Sequence, residues 1–376
     1  MADFNSTSKA EQTIRSIKSR QFLIPVFIGF AVVIYMFWGE FDKSGLDEIK
    51  LTYYSLLFII CAFCMMLTRD IGYIVRLKIL SSGRLTWKQC IRIIFLWEFT
   101  STITPSAVGG TSLAILFIYK EKVTLGESTA MVMTTAFLDE LYFLLMFPLL
   151  LLTIDIGHLF SVNGSYDGGI NWGNQFFYFA VIGYSLKAFF TGVVFYALFI
   201  NPIGFKRFLA FVFSIRFLKR WKRSAIQTGI DLQFASVELK NKSWKFWLQS
   251  FVATFVAWTS RYWVVNFLFL AFFVVPNHML IFARQLVMWI MMLVSPTPGG
   301  SGFAEFIFSE YLGEFIVVGS LIPILVVLWR LVTYYPYLII GAFFYFIFQF
   351  NLLLWFLVII GCLYFHHQFY KNKYKK

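Results

Sequence analysis

The stretch MMLVSPTPGGSGFAEF, residues 291–306, decides how this chain must fold. It lies in a run from residue 285 to residue 304 that contains no charged residue, which is the length of one membrane-spanning helix. Yet the centre of the run is occupied by helix breakers, namely Pro296, Pro298, Gly299, Gly300 and Gly302. Because such residues permit sharp reversals, the run predicts two short helices joined by a tip at membrane depth.

The composition places the whole chain in a membrane. It is 59% hydrophobic, 21% aromatic and only 14% charged, whereas globular domains are about 25% charged. Charge-poor runs of spanning length recur at residues 21–39, 51–68, 128–153, 176–199, 246–275 and beyond 315. We therefore expect an all-α polytopic membrane protein of about eight transmembrane helices. It would form a single integral membrane domain, residues 1–376, without a soluble domain.

The net charge of +13 is distributed as in a membrane protein rather than a nucleic-acid-binding one. Residues 1–20 hold four Lys or Arg, residues 201–245 hold ten and residues 371–376 hold four, whereas residues 153–175 hold none. Since basic residues concentrate in cytoplasmic loops, both termini and the basic loop 201–245 are predicted to be cytoplasmic. The predicted location is the bacterial inner membrane, with multiple passes.

Part of the basic loop, GFKRFLAFVFSIRFLKRWKR, alternates aromatic and basic residues. This pattern predicts a helix lying on anionic headgroups, or it reflects only the cytoplasmic bias of basic residues.

A second segment rich in helix breakers lies at residues 91–119, where TITPSAVGG contains Pro105, Gly109 and Gly110. Because both of its flanks are basic, this hairpin is predicted to enter and leave from the cytoplasmic side. The hairpin at 280–311 has an acidic flank and is predicted to enter from outside. Irregular backbone at membrane depth is tolerated when it lines a wet cavity, so two re-entrant helical hairpins predict a central cavity.

The two hairpins also suggest a repeat. An offset of 191 residues aligns Pro105 with Pro296 and Asp139 with Arg330. With hairpins entering from opposite faces, the pattern predicts an inverted repeat, and a chance match of two turns is the alternative. The predicted halves lie on either side of the basic loop, at about 21–200 and 246–370.

Charged residues inside spans should face the cavity or one another, because each costs about 2.5–3.5 kcal/mol in lipid. Glu98, Asp139, Arg330 and Glu305 are the candidate substrate-binding or gating residues. We expect Asp139 and Arg330 to pair, as a gate or headgroup contact or as a structural ion pair. Glu305 is expected to meet a cationic headgroup or to cap the returning half-helix. The isolated basic residues of two other spans, Lys187 and Arg261, are expected to snorkel.

The segments SPTPGGSGFAE and WRLVTYYPYLIIG resemble the signature of a known family. This is the flippase-like, lysylphosphatidylglycerol synthase transmembrane-region family, formerly an uncharacterised family of integral membrane proteins. The residues that fit its pattern are Pro296, Pro298, Gly299, Gly300, Gly302, Glu305 and Arg330. The first hairpin departs from the pattern, because Gly110 replaces an acidic residue and Phe137 and Leu138 replace the usual Glu-Arg before Asp139.

The resemblance implies transport of a lipid between leaflets, without the soluble domain that synthesises the lipid in other family members. The expected partners are membrane lipids: an anionic or aminoacylated phospholipid, or an isoprenoid-type lipid. Two alternatives stay open: a non-transporting scaffold of an envelope-lipid synthesis complex and, on weaker grounds, an intramembrane lipid-modifying enzyme. The sequence offers no catalytic constellation and no metal-ligand spacing, so we expect no enzyme and no cofactor.

Overall fold

The computed structural model describes residues 52–103, 107–160, 175–292, 300, 302–341 and 343–344. Every regular element in these ranges is a helix, which confirms the all-α class for the described part of the chain. The predicted first span at 21–39 and both termini lie outside these ranges. So do four residues of the predicted hairpin tips: Pro105, Pro296, Pro298 and Gly299.

Before the basic loop, the described chain forms six helices. They are α1 (Tyr53–Leu80), α2 (Trp87–Ile103), α3 (Ala107–Lys120), α4 (Leu125–Leu151), α5 (Ile156–Phe160) and α6 (Gln175–Phe195), which continues as a π-helical turn (Tyr196–Ile200). The starts of α1 and α4 are fixed by capping boxes, Thr52 with Ser55 and Thr124 with Glu127. In each box two side chains satisfy backbone N–H groups that have no partner inside the helix.

Six more helices follow. They are α7 (Pro202–Val212), α8 (Lys222–Leu239), α9 (Trp244–Leu270), α10 (His278–Met291), α11 (Phe303–Leu312) and α12 (Ile322–Thr333). The helical run that begins with α12 extends to Gly341.

Four helical runs in the described ranges are long and apolar enough to cross a membrane, namely Tyr53–Leu80, Leu125–Leu151, Ala180–Ile200 and Ile322–Gly341. The helices of the two predicted hairpins are shorter. Helices α10 and α11 have 14 and 10 residues, or about 21 and 15 Å, less than the ~30 Å of a hydrocarbon core. Helices α2 and α3, with 17 and 14 residues, reach about 25 and 21 Å.

The same order of elements occurs twice: a long helix, two short helices, and a second long helix. The offset of 191 residues places the start of α1, Tyr53, on the start of α9, Trp244. It also places the start of α2, Trp87, on the start of α10, His278. Helix boundaries thus follow an offset first seen in two turns.

Helices α1 and α9, which correspond under this offset, pack against each other along their length. The Phe58 ring stacks near Phe267, with 6.4 Å between ring centroids. Towards the other end of the pair, Arg76 Nη1 donates to Thr254 Oγ1 at 3.1 Å. Because early residues of α1 meet late residues of α9, the two helices run antiparallel.

The approach of α1 to α9 depends on Gly72. A Cβ at this position would lie 2.9 Å from Ala257 Cβ and 3.0 Å from the Ala253 carbonyl oxygen. These neighbours belong to a helix backbone and cannot move aside, so Gly72→Ala is expected to destabilise the protein by about 1–3 kcal/mol. Thermal unfolding in detergent measures this change.

A matched control is available in α6. A Cβ at Gly192 would meet nothing within 4 Å. Gly192→Ala is therefore expected to be neutral, or to stabilise the helix by up to about 1 kcal/mol. A Gly72→Ala protein that unfolds at the temperature of wild type would contradict the close approach.

Each pair of short helices is closed at its base by an arginine–glutamate ion pair. Arg92 of α2 pairs with Glu121, which directly follows α3. Arg284 of α10 pairs with Glu314, which lies just after α11, at 2.6 Å. Arg284 also donates to the Tyr311 carbonyl oxygen at 3.0 Å. We call these two ion pairs the hairpin clamps.

The basic loop 201–245 is largely helical, since it contains α7 and α8. Asn201 caps α7 by accepting a hydrogen bond from the Gly204 N–H at 2.7 Å. Phe208 and Phe211 on α7 and Phe217 beyond it are highly exposed. Exposed aromatics among basic residues are typical of a helix lying on a membrane surface, and that role stays a prediction.

Candidate functional site

A cavity of about 410 Å³ lies between the two halves of the chain, lined by α1 to α4 and α6 on one side and by α9 to α12 on the other. Three of the four candidate site residues, Glu98, Asp139 and Arg330, line it. Glu305 does not reach the wall but contacts Arg330 from behind. The sequence therefore led to one site, although not to its internal pairing.

One wall of the cavity is built around Arg69, whose side chain is almost fully buried. It bonds Asp70 Oδ1 at 3.0 Å and Glu98 Oε2 at 2.5 Å. The Tyr337 hydroxyl donates to Asp70 Oδ2 at 2.8 Å. These contacts join α1 to α2 and to the last described helical run.

A second group of contacts surrounds Asp139 on α4. The carboxylate pairs with Arg76 of α1. It also accepts a hydrogen bond from the Trp258 indole N–H at 2.7 Å, which ties α4 to α9. The expected direct pair of Asp139 with Arg330 is therefore wrong.

Arg330 instead pairs with Glu305, Nε to Oε1 at 2.8 Å, and both side chains are buried. The second oxygen of Glu305 accepts a hydrogen bond from the Gly302 N–H at 2.7 Å, at the start of α11. This is the capping contact that was one of the two expectations for Glu305. Arg330 Nη2 also lies 3.4 Å from the Gly300 carbonyl oxygen, so each charge is satisfied within its own half.

Lys187 does not snorkel. Its ammonium group lies 2.6 Å from Glu140 Oε2 and 4.6 Å from the centre of the Phe143 ring. Its side chain is only 4% exposed, so the ion pair holds the amine inside the protein.

Arg261 lies on the cavity wall. Its guanidinium is 5.0 Å from the ring centre of Trp289 and 5.7 Å from that of Trp258. No carboxylate within the described ranges forms an ion pair with it. Like Lys187, it was expected to snorkel and instead faces the interior.

The wall carries more positive than negative groups. Five basic side chains line it, namely Arg69, Arg76, Lys187, Arg261 and Arg330, together with three acidic ones, Glu98, Asp139 and Glu140. Most of them are paired, so they form a polar surface at low desolvation cost. Among the described residues, no group of three His, Cys, Asp or Glu side chains could hold a metal ion.

Arg69 and Arg76 are functional-site residues that the sequence analysis missed. It assigned them to the basic stretch after a span that was expected to end at residue 68, whereas α1 continues to Leu80. A signal was present, since Arg69, Tyr73 and Arg76 follow the i, i+4, i+7 spacing of one helix face. All three line the cavity.

Apolar helices of membrane-spanning length that enclose a charged cavity define an integral membrane protein with an internal polar site. The model of the lysylphosphatidylglycerol synthase TM region matches residues 22–341. The chain therefore belongs to this family, which confirms the resemblance of its second hairpin and makes it a multi-pass membrane protein.

One relative shows how far this similarity extends. A UPF0104 membrane protein of Archaeoglobus fulgidus is 24% identical over 329 residues, which cover 85% of this chain and 94% of the relative. No solved structure matches the chain.

Proposed function

We propose that this protein transports a phospholipid or another polar lipid between the leaflets of the membrane. The observation that carries the proposal is the cavity of about 410 Å³, whose wall holds eight charged side chains within the helical core. A polar headgroup that crosses a bilayer unaided loses its hydration, and charged groups pay the most. A charged, partly wet cavity between two halves would replace that hydration.

The arrangement of the helices supports an inverted repeat around this cavity. Helix boundaries repeat at an offset of 191 residues, and the corresponding helices α1 and α9 run antiparallel. Transporters built from inverted repeats hold the substrate near the midplane and expose it to each side in turn. The two pairs of short helices would then be re-entrant hairpins, the first from the cytoplasm and the second from outside, with both termini cytoplasmic.

The family name offers one headgroup, since it refers to lysylphosphatidylglycerol. This lipid, other anionic or aminoacylated phospholipids, and isoprenoid-type lipids are all substrate classes that the proposal admits. A scaffold protein has no need of a charged cavity at membrane depth, so the cavity favours transport over the scaffold alternative.

Transport can be tested in proteoliposomes that carry a lipid with a fluorescent reporter on its headgroup. A membrane-impermeant reductant quenches the outer leaflet, and the wild-type protein is expected to bring the inner-leaflet reporter out at a rate well above that of protein-free liposomes. Zwitterionic, anionic and aminoacylated lipids should be compared. Rates equal to those of protein-free liposomes for all three would reject the proposal.

A pair of matched variants on α4 tests the cavity itself. Ala136 lines the cavity, whereas Leu149 is 55% exposed at the molecular surface. Ala136→Trp should fill part of the cavity and reduce transport about ten-fold, while Leu149→Trp should leave it unchanged, since the volume of a site limits what it can bind. Equal transport by both variants would contradict a route through this cavity.

A further inference from the structure

We propose that Arg261 and the hydroxyl of Tyr262 form a binding site for the phosphate group of a lipid inside the cavity. This inference rests on the proposed function and deepens it, because it names the headgroup chemistry and the residues that recognise it.

The first argument is the charge balance of the wall. Within the described ranges, Arg69, Arg76, Lys187 and Arg330 each have a carboxylate in ion-pair contact. Arg261 has none there, although it lies well inside the 27-residue helix α9. A guanidinium within a membrane-spanning segment is costly unless an anion or water offsets its charge. A bound anion would complete the pattern that the other four basic residues show.

The second argument is an unsatisfied donor at the next position. Tyr262 is 4% exposed, and its hydroxyl has no hydrogen-bond partner within the described part of the chain. A buried hydroxyl without a partner costs about 1–3 kcal/mol, so a ligand that accepts its hydrogen bond would be stabilised. Tyr262 and Arg261 line the same cavity. Together they offer an arginine and a phenol donor to one ligand.

The third argument is preorganisation of the guanidinium. Trp258 and Trp289 lie under it, and their rings are 5.2 Å apart. The Trp258 ring is itself held by its hydrogen bond to Asp139. Stacking occupies the face of a guanidinium, whereas its N–H groups lie in its plane. The edge that recognises a phosphate with two parallel hydrogen bonds is thus left for a ligand.

The charges of the wall favour a phosphate over a cationic headgroup. Five basic side chains face the cavity against three acidic ones, and those three already have basic partners. An ammonium group would have to displace one of these partners, whereas a phosphate adds the missing counter-charge to Arg261. We therefore assign the cavity to an anionic phospholipid.

The test is equilibrium binding of a radiolabelled short-chain phosphatidylglycerol to the purified protein in non-ionic detergent. Arg261→Gln is expected to raise the Kd about ten-fold and Tyr262→Phe about three-fold, because each removes donors to an anion. Arg261→Lys keeps the charge but loses the planar fork, so it should lie between wild type and Arg261→Gln. Arg216→Gln, which removes an exposed arginine from the basic loop, is the matched control.

Competitors identify the group that is bound. Unlabelled phosphatidylglycerol should displace the label, and a diacylglycerol with the same acyl chains should not. Inorganic phosphate should compete only at far higher concentration, since it lacks the chains. Competition by diacylglycerol at the concentration of the phospholipid would overturn the phosphate site, and equally strong competition by inorganic phosphate would overturn a lipid as its ligand.

The outcomes separate this inference from the proposed function. Unchanged binding by both Arg261 variants, in proteins that melt as wild type does, overturns the site even if wild type transports lipid. Binding that depends on Arg261, in a protein that transports no lipid in proteoliposomes, upholds the site and rejects transport.

Discussion

Arg330→Gln is expected to lower the free energy of unfolding by about 3–5 kcal/mol, because it leaves Glu305 as an uncompensated buried charge. Glu305 is 1% exposed, and Arg330 supplies its charge partner. The substitution also removes the contact of Arg330 with the Gly300 carbonyl oxygen beside the start of α11. Chemical or thermal unfolding in detergent measures the loss.

The double variant shows whether the pair accounts for this loss. Glu305→Gln alone should also destabilise, and the two substitutions together should cost clearly less than the sum of the single effects. The ion pair Arg84–Glu127 is the control, since the Arg84 side chain is 55% exposed. Arg84→Gln should cost less than about 1 kcal/mol. Additive losses at residues 305 and 330 would contradict a coupled pair.

Arg69→Met is expected to have an effect of similar or larger size, again about 3–5 kcal/mol or more. The substitution keeps an unbranched side chain of comparable length but leaves two carboxylates, Asp70 and Glu98, close together without a counter-charge. Glu98→Gln in the same protein should restore part of the stability, because one of the two repelling charges is then absent. Thermal unfolding of the single and double variants measures both effects.

Arg207→Met is the control for this experiment, because Arg207 is exposed on α7. It removes the same charge from the surface and should leave the melting temperature nearly unchanged. A double variant no more stable than Arg69→Met would show that repulsion between Asp70 and Glu98 is not the cause.

The short-helix pairs could be predicted from sequence because local chemistry determines them. Segments 91–119 and 280–311 were expected, and the observed helices run from Trp87 to Lys120 and from His278 to Leu312. Proline and glycine in an apolar run leave few other conformations open to the backbone. The tips themselves lie largely outside the described residues, apart from Gly109, Gly110, Gly300 and Gly302.

The ion pairs could not be predicted in the same way, because they depend on contacts that are distant in sequence. Arg76 meets Asp139 across 63 positions and thereby allows α1 to continue through a charged segment that resembles a loop. The alignment of Asp139 with Arg330 relates equivalent positions, and equivalence in a repeat does not bring two side chains together. The cavity residues were found because intramembrane charge is costly, which holds whatever their partners are.

The hairpin clamps have a mechanical consequence. An ion pair that joins the two arms of a hairpin at its base makes the pair a closed frame, so its arms cannot spread without separating Arg92 from Glu121 or Arg284 from Glu314. Any opening of the cavity would then have to occur by tilting of a whole frame, with its base as the pivot and its tip travelling furthest. A displacement of about an ångström at the membrane surface would be amplified at the midplane, as by a lever.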